Sequence, residues 1–189
     1  MTSFTLDTNC IIALDENRAE TAYLRKLVEA HTMGAADVGL VAISASERQK
    51  NGGALEDFRV FERRLASLGL DRLMLLPPMM YWDLGFWDQG LWTDELMEEL
   101  EQKIHSVLFP NIQFSWSDFC KERAVDVNSC DPRWRNAKCD VQAIWSHIHH
   151  SRDVFVTSDL NFHQLNKKQS LIKLGAGRIE TPEAAVSFL

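Results

Sequence analysis

Asp153-Val154-Phe155-Val156-Thr157-Ser158-Asp159 passes from an apolar run to a polar cluster that ends in a carboxylate. Val, Phe and Val favour extended backbone, and a short apolar run between polar neighbours fits a strand buried on both faces. Thr157, Ser158 and Asp159 are helix-capping residues standing at its carboxyl end. The same order of events opens the chain, where Ser3-Phe4-Thr5-Leu6 reads as a strand running into Asp7-Thr8-Asn9. Residues 38–43 form a third apolar run, followed by Ser44-Ala45-Ser46-Glu47. Such strands, separated by helical patterns, predict an α/β fold with a mainly parallel central sheet.

Working outward, helical spacing appears over residues 17–31 through Ala22, Leu24, Leu27 and Val28, with Gly34 beyond its end. A helix is expected from Ser44, interrupted at Asn51-Gly52-Gly53 and resumed through Leu55, Phe58, Phe61, Leu65 and Leu68. Residues 73–76 read as a short strand broken by Pro77-Pro78, and Thr93 as the cap of a helix with Leu96, Leu100, Ile104 and Leu108 on one stripe, stopped by Pro110. Residues 137–150 read as a helix. A strand is expected around 178–180, after Gly175 and Gly177, and a last helix opens at Pro182. The chain reads as one domain over 1–189 with an aromatic-rich helical insertion at about 70–134. Ten of the 18 aromatic residues lie between Tyr81 and Trp134, five of the six tryptophans among them, so this block differs in character from its flanks.

Composition narrows the function. Of 189 residues, 46% are hydrophobic and 25% charged, which excludes a disordered chain. Twenty Lys and Arg against 27 Asp and Glu leave a formal charge of −7, which argues against holding nucleic acid by bulk charge. A nuclease whose carboxylates are neutralised by metal stays open. Cys10, Cys120, Cys130 and Cys139 form no CxxC pair, and with His147, His149 and His150 they offer only a poorly spaced zinc reading. No apolar stretch is long enough to span a bilayer and no signal peptide is apparent, so the expected location is the cytoplasm, with no membrane partner.

Three acids stand at or just beyond strand ends, namely Asp7, Glu47 and Asp159. In open α/β sheets, sites form outside those ends. Asp140 is the fourth, on a helical stripe with Val141, Ile144 and Ile148, where a carboxylate needs a partner. Gathered carboxylates repel unless a cation compensates, and oxygen-only ligands favour Mg²⁺ or Mn²⁺. Each acid also has a local explanation: Asp7 and Asp159 can cap helices, and Ser44 with Glu47 has the spacing of a capping box.

Phe4-Thr5-Leu6-Asp7-Thr8-Asn9, Ser44-Ala45-Ser46-Glu47, Asp140, and Val154-Phe155-Val156-Thr157-Ser158-Asp159-Leu160-Asn161-Phe162 occur in an order that resembles the PIN-domain nucleases. Arg178-Ile179-Glu180-Thr181-Pro182-Glu183 is similar to that family's last strand and helix. The likeness covers about residues 3–50 and 136–189; the block at 70–134 has no clear counterpart. It implies a three-layer α/β/α sandwich and a metal-dependent ribonuclease, possible toxins of toxin–antitoxin pairs included. Asp7, Glu47, Asp140 and Asp159 would be the catalytic, metal-binding acids, with Asn9 and Thr157 supporting them. It also implies an RNA substrate cut to a 5′-phosphate and a 3′-hydroxyl.

Arg133, Arg135, Lys138 and Arg152 are candidates for holding the phosphate backbone, against the alternative of a solvated charge run. His163, near Asp159, reads as a surface or packing histidine. Trp82, Trp87 and Trp92 recur every five residues; they could stack on bases, but core packing or a partner surface is favoured, since no basic residue intervenes. An antitoxin-like protein partner or a homodimer is compatible with this block. The competing functions are a catalytically inactive interaction module, a Mg²⁺-dependent phosphatase, and a DNA nuclease.

Overall fold

The structure is a computed structural model, which describes residues 1–46, 57–81, 89–127, 129 and 131–189. Among these, β1 (Thr2–Leu6), β2 (Ala36–Val41), β3 (Met74–Leu76), β4 (Val154–Val156) and β5 (Arg178–Glu180) form one sheet in the order β3-β2-β1-β4-β5. Every pairing is parallel. The register sets Leu6 beside Leu40 on one side and Val156 on the other, so the carboxyl ends of β1 and β4 lie together.

Alternation along the strands feeds two cores. Phe4, Leu6, Val38, Leu40, Val154 and Val156 pack with α1 (Thr8–Asp15), α2 (Thr21–Thr32) and α3 (Phe58–Ser67). Phe155 and Ile179 face the other core, built with α4 (Glu95–Leu108), α6 (Pro132–His149) and α8 (Leu165–Lys173). The remaining helices are α5 (Trp116–Arg123), α7 (Leu160–His163) and α9 (Pro182–Ala185). Helices therefore cover both faces, which is why the strands show near-continuous apolar runs. Side-chain caps set several helix starts: Asp131 precedes Pro132 in α6, and Thr181 precedes Pro182 in α9.

Some local expectations change. The strand expected over 38–43 runs instead from Ala36 to Val41, and Ala42–Ser46 is a 3-10 turn; the rest of the helix expected from Ser44, with its break at Asn51-Gly52-Gly53 and Leu55, lies outside the described residues. The cap of α4 is Asp94, whose side chain accepts from the Met97 amide at 2.8 Å, not Thr93. Leu96 is 76% exposed; the buried stripe of α4 runs through Glu101, Ile104, His105 and Leu108. Within the block expected as an insertion, β3 belongs to the central sheet and α4 packs on α6.

One loop glycine is required. Gly177 sits at φ +59°, and a Cβ there would collide with the Asp153 carbonyl oxygen. That oxygen cannot retreat, because it accepts from the Arg178 amide at 2.9 Å beside the β4–β5 pairing. Left-handed backbone and overlap together predict that Gly177→Ala loses about 2 kcal/mol. Urea denaturation of the two proteins measures this, and equal midpoints would refute it.

Candidate active site

β1 leads through α1 and α2 to β2 on one side, whereas β4 leads through α7 and α8 to β5 on the other. The crevice between their carboxyl ends is therefore the topological switch point of the sheet, where ligands of open α/β folds bind. Asp7 is the first residue after β1, and Asp159 is the third after β4.

One hydrogen-bond network joins them. Asp7 Oδ1 accepts from the Thr8 amide at 2.8 Å. Its Oδ2 accepts from Asn9 Nδ2 at 2.9 Å and Thr157 Oγ1 at 2.8 Å. Having given its one proton to Asp7, the Thr157 hydroxyl accepts from Asn9 Nδ2 at 2.9 Å and from the Asp159 amide at 3.1 Å. That uses its full bonding capacity. Asn9 Oδ1 in turn accepts from the Ser158 amide at 3.0 Å. The structure thus brings together Asp7, Asn9, Thr157 and Asp159. Nearby, Thr8 Oγ1 and Ser44 Oγ are 2.6 Å apart, so Ser44 lies inside the 3-10 turn and spends its hydroxyl on α1.

Both acids are caps as well: Asp7 starts α1 and Asp159 starts α7, its Oδ1 accepting from the Asn161 amide at 2.8 Å. Capping alone leaves something unexplained at Asp7. A carboxylate that accepts three hydrogen bonds should titrate below its ordinary range, yet Asp7 is pushed up to about 6. Burial is the main cause, with the neighbouring Asp159 charge adding to it. At 3% exposure, Asp7 is a desolvated anion held beside a second acid. A solvated cap needs neither feature.

Asp140 lies half-buried on α6. Arg135, on the same helix, links it to the 3-10 turn: its Nε and Nη2 donate to the Ser46 carbonyl at 3.0 and 2.9 Å. Glu47, Trp82, Trp87 and Cys130 lie outside the described residues. Among the described residues, no three His, Cys, Asp or Glu side chains are placed to share a metal ion.

Two of the four basic candidates are corrected. Lys138 is buried at 1% exposure, with Nζ 2.8 Å from Glu101 Oε1 and 3.7 Å from the centre of the Phe114 ring. Arg152 is buried at the opposite end of the sheet, where it pairs with Asp37 and donates to the Phe4 carbonyl at 2.9 Å. Neither can meet a phosphate at the crevice. Arg133 is exposed, and Arg135 is half-buried. Trp92 is 80% exposed rather than packed in a core.

The histidines have structural partners. His147 Nε2 faces the Ala176 carbonyl at 2.8 Å, so it carries the proton, and Nδ1 accepts from Thr5 Oγ1 at 2.9 Å. Burial holds this imidazole down at about 4. His163 Nε2 donates to the Thr157 carbonyl at 2.9 Å and so braces the network from behind. Asn161, which stands in the strand-end motif without a role, and Lys167, which no motif marks, contact the network's edge; the partners of Lys167 include the Leu108 carbonyl, far away in the chain.

No family model, curated protein or solved structure matches this chain. The fold and the network therefore define a class only: an α/β domain with a five-stranded parallel sheet and paired carboxylates at its switch point. No helix among the described residues is long and apolar enough to cross a membrane.

Proposed function

We propose that this chain is a metal-dependent nuclease, with RNA as its substrate, on a PIN-like three-layer α/β/α frame. The observation that carries the reading is the placement of Asp7 and Asp159 at the ends of the adjacent strands β1 and β4, with Asp7 desolvated beside a like charge. The donors are oxygens only, which suits a hard cation. Mg²⁺ keeps several of its waters and needs one or two protein carboxylates, so this pair fits it.

Asp7 and Asp159 would hold Mg²⁺ or Mn²⁺, with Asp140 and Glu47 as the further carboxylates of the sequence pattern. When bound, such a cation supplies a water of lowered pKa and neutralises charge on a phosphoryl oxygen. The chain's own residues do the rest. Asn9 and Thr157 fix the plane of the Asp7 carboxylate through its Oδ2, and Thr157 sets the start of the Asp159 cap through its amide. Arg133 is the exposed candidate for the phosphate backbone, while Arg135 spends part of its guanidinium on Ser46. An antitoxin-like partner or a second copy of the chain would be a separate layer of control.

The test is cleavage of labelled single-stranded RNA, with single-stranded DNA alongside, by the purified chain in Mg²⁺, Mn²⁺ or EDTA. RNA cleavage should require the metal and fall by roughly 100-fold or more in Asp7→Asn and in Asp159→Asn. Cleavage that survives EDTA, or that both substitutions leave intact, would sink the proposal. Preference for DNA would overturn the substrate alone.

A further inference from the structure

The carboxyl end of α4 and the Asp159 carboxylate are connected by side chains that the proposed chemistry has not used. The carbonyl of Leu108, last residue of α4, accepts from Lys167 Nζ at 2.8 Å. The same ammonium donates to Asn161 Oδ1 at 2.5 Å. The backbone N–H of Asn161 then donates to Asp159 Oδ1 at 2.8 Å. Lys167 is half-buried on α8, so its charge is partly shielded from water and its two contacts are correspondingly firm.

A lysine that merely satisfied the end of α4 would need only the first contact. The second goes to the residue whose backbone amide the Asp159 carboxylate caps. α7 has four residues, too few to hold its own cap orientation by internal hydrogen bonds. Besides Phe162, which is buried against Phe155, its anchors include Thr157 at the Asp159 amide, its own His163 on the Thr157 carbonyl and Lys167 on Asn161. The Thr157 and His163 contacts tie α7 to the β4 end. Of these polar contacts, the one through Lys167 reaches the end of α4.

We propose that Lys167 is a positioning residue that ties the end of α4 to the Asp159 carboxylate and sets its orientation for the divalent cation, an inference that rests on the metal-nuclease reading. Outer partners of metal ligands typically change affinity by about 10- to 100-fold when removed. Lys167→Met should therefore weaken binding of Mn²⁺, followed by titration calorimetry of the full chain, by about 10-fold. Lys167→Arg, which keeps a donor of similar reach, should recover most of that loss. Asn161→Ala breaks the same path without touching the Leu108 carbonyl and should behave like Lys167→Met. For RNA cleavage, the Mn²⁺ concentration giving half-maximal rate should rise in step while KM for RNA stays the same, which loss of a phosphate contact would not produce.

Mn²⁺ binding unchanged in both Lys167→Met and Asn161→Ala, with binding lost in Asp159→Asn, would overturn the positioning role and leave the metal site standing. Failure of the wild-type chain to bind Mn²⁺, or wild-type affinity in Asp159→Asn, would overturn the metal reading and the inference with it. Should Lys167→Met not fold, Asn161→Ala decides alone.

Discussion

Lys138→Met is expected to destabilise the fold by about 3–5 kcal/mol, the usual cost of leaving a buried charge without its partner. The stranded group is Glu101, which has no exposed surface. Its Oε1 accepts from Lys138 Nζ at 2.8 Å and from Gln142 Nε2 at 2.9 Å, and its Oε2 from the Tyr81 hydroxyl at 2.5 Å. Burial and the Glu101 charge push the Tyr81 hydroxyl up, so it stays a donor. The ammonium is flanked by the rings of Phe114 at 3.7 Å, Tyr81 at 4.7 Å and Trp134 at 5.5 Å. Cation–ring attraction adds about 0.5–2 kcal/mol, so the ion pair dominates. Lys138→Met combined with Glu101→Leu removes both charges and should recover much of the single loss, giving a coupling energy of about 2 kcal/mol or more. Guanidinium denaturation of the four proteins in the cycle measures it. Additive effects would mean that the pair does not act as a unit.

This network also explains which parts of the fold were legible. Phe4 to Asp7, Val154 to Asp159 and Arg178 to Glu180 could be read because strand runs and caps are local signals. The buried stripe of α4 could not. Glu101 and His105 occupy it, and a sequence reading places charges on the outside, which moved the apparent stripe onto Leu96. Lys138 misled in the same way: its partner lies 37 residues away on another helix, so its proximity to Asp140 in the chain suggested phosphate. α1 was passed over because Cys10, Ile11, Ala13 and Leu14 are all buried, leaving no polar face to reveal a period. α7 and α8 carry Leu160 and Leu165 at 79% and 69% exposure, against the usual pattern. The acids Asp7 and Asp159 were legible because a strand end is a place that sequence can locate. What sequence could not supply is that Thr157 bridges them, a contact 150 residues long.

In EDTA, Asp7→Asn should gain about 3 kcal/mol relative to the wild type as pH rises from about 4 to 7. Asp7 titrates near 6 in the folded chain against an ordinary value of 3.8, so between these values the folded state binds the extra proton. Stability from this group is therefore present at low pH and lost as pH rises through 6; an ionised Asp7 is a cost that the amide does not carry. The amide also meets Asn9 and Thr157 differently, but that offset does not vary with pH. His147 acts with the opposite sign, because burial lowers it from 6.5 to about 4, and its contribution is lost as pH falls across that range. The two windows overlap with opposite signs, so the difference between the two proteins, rather than the wild-type profile alone, isolates Asp7. A divalent cation should erase the difference, since it favours the ionised carboxylate. At 100 times its dissociation constant, it adds about 2.7 kcal/mol to a protein that binds it only when folded. Mg²⁺ should accordingly raise the wild-type Tm more at pH 7 than at pH 5 and leave Asp7→Asn nearly unmoved. Parallel pH profiles for the two proteins would show that Asp7 ionises without strain, and the case for a cation at the β1–β4 crevice would lose its main electrostatic support.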